Sequence, residues 1–130
     1  MVRRGRTAYV VLNLYPYNPG HLLVCPTRHV ADLTDLTPAE FAEVGALSRE
    51  AVRVLRATSG AAGFNLGLNQ GQVAGAGIAG HLHVHVVPRY PGDANFLPIV
   101  ARTKALPELL GTTRDVLRAA WDDHGPAEED

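Results

Sequence analysis

His81, His83 and His85 stand at alternate positions in "GIAGHLHVHVVPRY", residues 77 to 90, and make up half of the chain's six histidines. Imidazole is the side chain whose ordinary titration falls near neutrality, so a row of three offers nucleophilic, acid–base or metal-binding chemistry. In an extended strand alternate side chains share a face and lie roughly 6.5–7 Å apart. The three histidines therefore line one surface, with Leu82, Val84 and Val86 on the other. Three rings so close cannot all be cations, because each charge opposes the next, and at least one is expected to be neutral at pH 7.

Three uses of such a row are open. It could be half-buried polarity on a sheet, although three aligned histidines exceed what that needs. It could present an H-x-H pair to zinc, but further ligands are scarce: there is no second cysteine, no H-E-x-x-H, and the nearest carboxylate is Asp93. Or a neutral imidazole could attack phosphorus. The preceding loop "NQGQVAGAGIAG", residues 69 to 80, favours the last use, since glycines with small neighbours let backbone N–H groups approach an anion. Such donors beside a nucleophile suit phosphoryl transfer, where positioning and charge stabilisation supply most of the catalysis.

The elements that must hold this row follow from local pattern. "TAYVVLNLY" (7 to 15) is β-branched and aromatic and stops at Pro16, "PYNPG" is turn chemistry, and "HLLVCPTR" (21 to 28) resumes an extended pattern. Together they predict a hairpin, with the short basic start as a solvated lead-in. "TPAE" places Thr37 as N-cap, Pro38 at the first helical position and Glu40 three residues after the cap, a capping box. Phe41, Val44, Leu47, Ala51, Val54 and Leu55 then keep helical spacing up to Ser59-Gly60. Residues 63 to 69 alternate again, Gly71 to Gly80 reads as loop, and 81 to 89 as a strand whose pairing Pro88 is expected to end. A second helix is expected from Leu106 to about Trp121, with Leu109, Leu110, Thr113, Leu117 and Trp121 on one side. One long helix between two pairs of strands predicts an antiparallel α+β domain.

The chain's 130 residues suit one core, with residues 1–123 expected to form a single catalytic domain and the acidic 124–130 a disordered tail. Lys and Arg number 12 against 13 Asp and Glu, a formal charge of -1 that argues against a broad nucleic-acid or membrane-binding surface. Cys25 is the only cysteine, so there is neither an internal disulfide nor a Cys-paired structural zinc, as expected of a cytoplasmic protein. No run has the length of a membrane span, and the start lacks the apolar core of a secretory signal.

"HLHVHVV" resembles the H-φ-H-φ-H-φ-φ signature, φ being apolar, of the histidine triad nucleotide hydrolases and transferases. The similarity runs from "VVLNLYPYNPGHLLVCPTRHV" through the mid-chain helix to "GAGIAGHLHVHVVPRYPGDANF", and "NPGHLLV" is a second match. "GAG" before the triad and "GDANF" after it resemble the branch of the fragile histidine triad and diadenosine polyphosphate enzymes. His85 stands where the galactose-1-phosphate uridylyltransferase relatives carry Gln, which favours hydrolysis over obligate transfer.

The resemblance implies the α+β histidine triad fold and a nucleotidyl hydrolase or transferase acting at the α-phosphate of diadenosine polyphosphates or other adenosine phosphates. In that pattern His83 attacks phosphorus to form a nucleotidyl-histidine, His81 orients the site, and His85 helps the leaving group depart. Asn13 and His21 match the polar residues that line the nucleoside pocket; Asn69 matches the family's Asn-x-Gly, with Gln70 as competitor. The Gln-Ser/Thr pair often found before the triad is Gly77-Ile78 here, so backbone donors around Gly77 must replace side-chain ones. The N-terminal zinc cysteines of some relatives are absent. No cofactor or side-chain-bound metal is implied, and Mg2+ is expected only as a companion of a polyphosphate substrate. Homodimer formation is implied as well, with Phe41, Val44 and Leu47 as a candidate apolar face unless that stripe packs on its own sheet. The alternative is a low-turnover nucleotide-binding or sensing module of the same fold.

Overall fold

Strand β1 (Arg3–Arg4), β2 (Ala8–Leu12), β3 (Leu22–Pro26), β4 (Gly63–Leu68) and β5 (Val84–Arg89) form one sheet in the order β1-β2-β3-β5-β4, each neighbouring pair antiparallel. They are joined by helix α1 (Pro38–Ser59) and followed by α2 (Leu106–His124) in a computed structural model that describes residues 1–14, 18–76, 80–92 and 106–124. This is the expected α+β architecture. Placing β5 between β3 and β4 puts the histidine segment on an interior strand of the sheet.

Alternation sorts the strands into two faces. Ala8, Val10, Leu22, Val24 and Val86 point to one side and are fully buried there. α1 lies across β2, β3 and β5 on that side, contributing buried Val44, Leu47, Ala51, Val54 and Leu55. Each such Val or Leu stabilises the fold by about 1.5–3 kcal/mol. α2 packs on α1, burying Leu117 and Trp121, and the Trp121 indole N–H donates to Glu50 Oε2 at 3.1 Å. The start of α1 is the expected capping box: Thr37 Oγ1 accepts from Glu40 N, and Glu40 Oε1 accepts from Thr37 N. The helix ends at Gly60, whose φ of 68° is a left-handed conformation open to glycine at little cost. One turn into α1, Glu43 Oε1 accepts from the backbone N–H groups of Thr7 (3.0 Å) and Ala8 (3.2 Å), fastening the β1–β2 corner to the helix.

Several expectations are corrected. The basic start is not a solvated lead-in: Arg3 and Arg4 pair with Val10 and Tyr9, and Val2 is buried in the core. Phe41 leaves the apolar stripe and is 59% exposed, because the stripe that meets the sheet begins a turn later at Val44. The loop before the triad contains a 3-10 turn at Gln72–Ala74. The strand expected from 81 begins at Val84; before it, Leu82 N donates to the carbonyl of Val30 at 2.7 Å instead of to β3. Pro88 does not end pairing: it lies opposite Phe64, and Arg89 still accepts from Ala62 N at 2.9 Å. Pairing with β3 has stopped by then at Leu22 and Val86, so Pro88 has no β3 partner for the N–H it lacks. α2 runs to His124, one residue into the expected tail; residues 125–130 lie outside the described ones.

Candidate functional site

The histidines occupy the sheet face opposite the helices. Register makes the arrangement explicit: Val11, Leu23, His85 and Gly67 form one row across β2, β3, β5 and β4. His83 lies beside His85 with ring centroids 4.9 Å apart, and His81 precedes it. All three are half-buried, whereas Leu82 and Val86 between and beyond them are in the core.

Each ring is fixed by a different partner. His81 Nε2 donates to the carbonyl of Pro26 at 2.7 Å, and its ring is packed edge-on by His29 (4.8 Å) and Tyr9 (6.4 Å). His83 Nδ1 lies 3.0 Å from the carbonyl of His81. A carbonyl only accepts, so Nδ1 carries the hydrogen; in the neutral ring Nε2 holds the lone pair. His85 Nδ1 lies 2.9 Å from His21 Nε2. With the Asn13 amide nitrogen donating to His21 Nδ1 at 3.3 Å, His21 carries its hydrogen on Nε2 and donates it to His85, whose own hydrogen then sits on Nε2. The row thus presents a lone pair at His83 next to an N–H at His85.

Electrostatics agree with this division. Burial, then the neighbouring His85 and His83, lowers the pKa of His21 to about 4. Burial and then His83 lower that of His85 as well. Both are neutral at pH 7, which meets the expectation that the row cannot be fully charged. Burial raises the Cys25 thiol to about 11, so it is no thiolate nucleophile.

The remaining expected residues are placed unequally. Asn13 and His21 come together across the hairpin, where Asn13 N also donates to the carbonyl of His21 at 2.9 Å. His21 is fully buried, so it touches His85 from behind and lines no open surface. Asn69 is exposed at the end of β4. The Gln70 side-chain oxygen accepts from Leu33 N at 2.9 Å, which ties the loop to the turn before α1. Gly77 lies outside the described residues. Sequence reading missed four contributors: Val11 and Leu23 in the His85 row, the Pro26 carbonyl and His29. Only the strand register could have found the first two; the others are contacts between segments far apart in the chain. A cavity of about 460 Å3 among Gly20, Leu55, Ser59, Tyr90, Thr113 and Leu117 contains none of the triad histidines.

The chain is similar to known proteins in sequence and in fold. A family model described as the HIT domain matches residues 2–92. The chain is 54% identical over 121 residues to a Mycobacterium tuberculosis protein named AP-4-A phosphorylase, covering 93% of this chain and 62% of that one. It is 37% identical over 90 residues to the asymmetrical bis(5'-nucleosyl)-tetraphosphatase of Schizosaccharomyces pombe, covering 69% of this chain and 49% of that one. The chain therefore spans about half to three fifths of the length of these curated relatives. Among solved structures, a hypothetical histidine triad nucleotide-binding protein of Sulfolobus tokodaii superposes with a TM-score of 0.81 at 26% identity, over 94% of this chain and 83% of that one.

Proposed function

Because the chain belongs to the HIT-domain family, we propose that it moves a nucleotidyl group from the α-phosphate of a diadenosine polyphosphate, or another adenosine phosphate, to water or inorganic phosphate. The observation that carries this reading is the hydrogen bond from His83 Nδ1 to the His81 carbonyl, which leaves Nε2 as the attacking nitrogen beside the His85 N–H. His83 Nε2 forms an N–P bond as the bond from phosphorus to the leaving oxygen breaks. The leaving oxygen takes the electron pair and accepts a hydrogen bond from His85 Nε2. Water or phosphate then attacks phosphorus and releases His83, giving AMP or ADP respectively. Asn13, with Val11 and Leu23 on the same face, serves the nucleoside; His81 holds the backbone that holds His83; Asn69 is better placed than Gln70 for ribose or phosphate. The names of the relatives support both acceptors.

No protein-bound metal enters this chemistry, and residues 1–123 act as one catalytic unit. The protein acts as a homodimer through the outer edge of β4. Leu66 supports this, being 49% exposed beside Arg49, Val52 and Arg53 of α1 on a sheet edge that needs cover. Among the described residues no helix is long and apolar enough to cross a membrane.

Rapid quenching at alkaline pH, where phosphoramidate bonds survive, tests the intermediate. The peptide spanning residues 81 to 89 should be heavier by one nucleotide, on His83. Label on another residue, or net inversion at phosphorus from a single displacement, would overturn it. Sedimentation at micromolar concentration should show a dimer; a fully active monomer would refute the assembly.

A further inference from the structure

Gly67 sits directly opposite His85 on β4, and Leu23 sits directly opposite it on β3. The two sides of the histidine are thus unequal: one neighbour has a branched side chain and the other has none. An added Cβ at Gly67 would meet no atom of the described residues within 4 Å, so the space among them is open. The backbone does not call for glycine either, since Gly67 is not among the glycines with positive φ. Glycine inside a strand is destabilising by roughly 0.5–1 kcal/mol relative to alanine, and it often marks a place where a ligand comes close. His21 fills the far side of the His85 ring, contacting Nδ1.

We propose that the gap over Gly67 is the passage for the leaving group, and that it lets the site admit bulky leaving groups such as a nucleoside polyphosphate. The inference rests on the functional reading above. A nucleotide bound with its nucleoside toward Asn13, Val11 and Leu23 and its α-phosphate at His83 directs its leaving oxygen past His85 toward β4. Only Gly67 in the His85 row offers room there. Asn65, two residues along the same face of β4, accepts from Arg89 Nη1 at 2.8 Å.

The test compares diadenosine tetraphosphate with adenosine 5'-phosphoramidate, whose leaving group is ammonia, in wild type, Gly67→Ala and Gly67→Val. The readout is the ratio of kcat/KM for the two substrates. The ratio should fall by about 30-fold in Gly67→Val, and by less in Gly67→Ala, because the added carbons obstruct only the larger group. Valine favours strand, so the thermal midpoint should not drop. An unchanged ratio in both variants, or equal losses on both substrates, would overturn the passage alone. Failure of the wild-type protein to cleave either substrate would overturn the functional reading and this inference together.

Discussion

The two faces of the sheet are made from the same strands and differ in almost everything else. On the helix side, alternate residues Ala8, Val10, Leu22, Val24 and Val86 are sealed under α1 and α2. On the other side, Val11, Leu23, His83 and His85 stay half-buried, with neither of the described helices above them. Stability and chemistry are thereby separated by a single step along each strand. A one-residue slip would exchange them, so register is as important to this site as the identity of its histidines.

The separation can be broken most severely at its centre. His83→Ala should lower kcat/KM by about 10⁴-fold or more, while the thermal midpoint and nucleotide affinity stay near wild type, because nothing in the core leans on that ring. Steady-state kinetics with parallel calorimetry measures both, and a wild-type rate would remove His83 as nucleophile. On the opposite face the pattern should invert. Trp121→Ala should destabilise by about 3–5 kcal/mol in denaturant unfolding, yet leave kcat per folded molecule unchanged. A matching loss of turnover would mean that the faces are coupled.

His21 joins the two regimes, being fully buried yet bonded to His85. Its pKa lies near 4 in the folded chain, against about 6.5 when exposed. As pH falls, the unfolded chain therefore takes up the proton first. Stability is fully present above about pH 6.5 and declines toward pH 4, by about 3 kcal/mol in all. His85, lowered in the same direction, adds to the decline. Urea midpoints across this range should show it, and His21→Asn should flatten the profile; a profile equally steep in the variant would assign the effect elsewhere. Phe41→Ser should change stability by no more than about 0.5 kcal/mol, since that ring already faces solvent. The smallest effect is expected from chelation, which should leave turnover of adenosine 5'-phosphoramidate nearly unchanged; recovery of stoichiometric zinc on the histidines would sink this expectation.

Much of the fold was readable residue by residue. Thr37, Pro38 and Glu40 announce α1, Gly60 ends it, and the alternation around Val24 and Val86 marks strands, because caps and periodicity act within a few residues. The three histidines pointed to the proposed chemistry for the same reason. Errors fell where the deciding partner lay far along the chain. Pro88 was expected to stop a strand, but whether a missing N–H matters depends on how far β3 extends beside it. His21 was expected in the nucleoside pocket, but its burial against His85 depends on pairing across 64 residues of sequence.

By itself, then, the sequence determined the two helices, strands β2 to β5 in outline and the row of imidazoles, since each follows from spacing over one or two turns; β1 it did not. Only the tertiary structure decided which nitrogen of each ring is occupied. The Pro26 carbonyl takes the His81 hydrogen, the His81 carbonyl takes that of His83, and His21 contacts His85 Nδ1. Two of those three bonds join β5 and its approach to β3 and the residue before it, and they exist only after long-range pairing has brought those segments within hydrogen-bond distance.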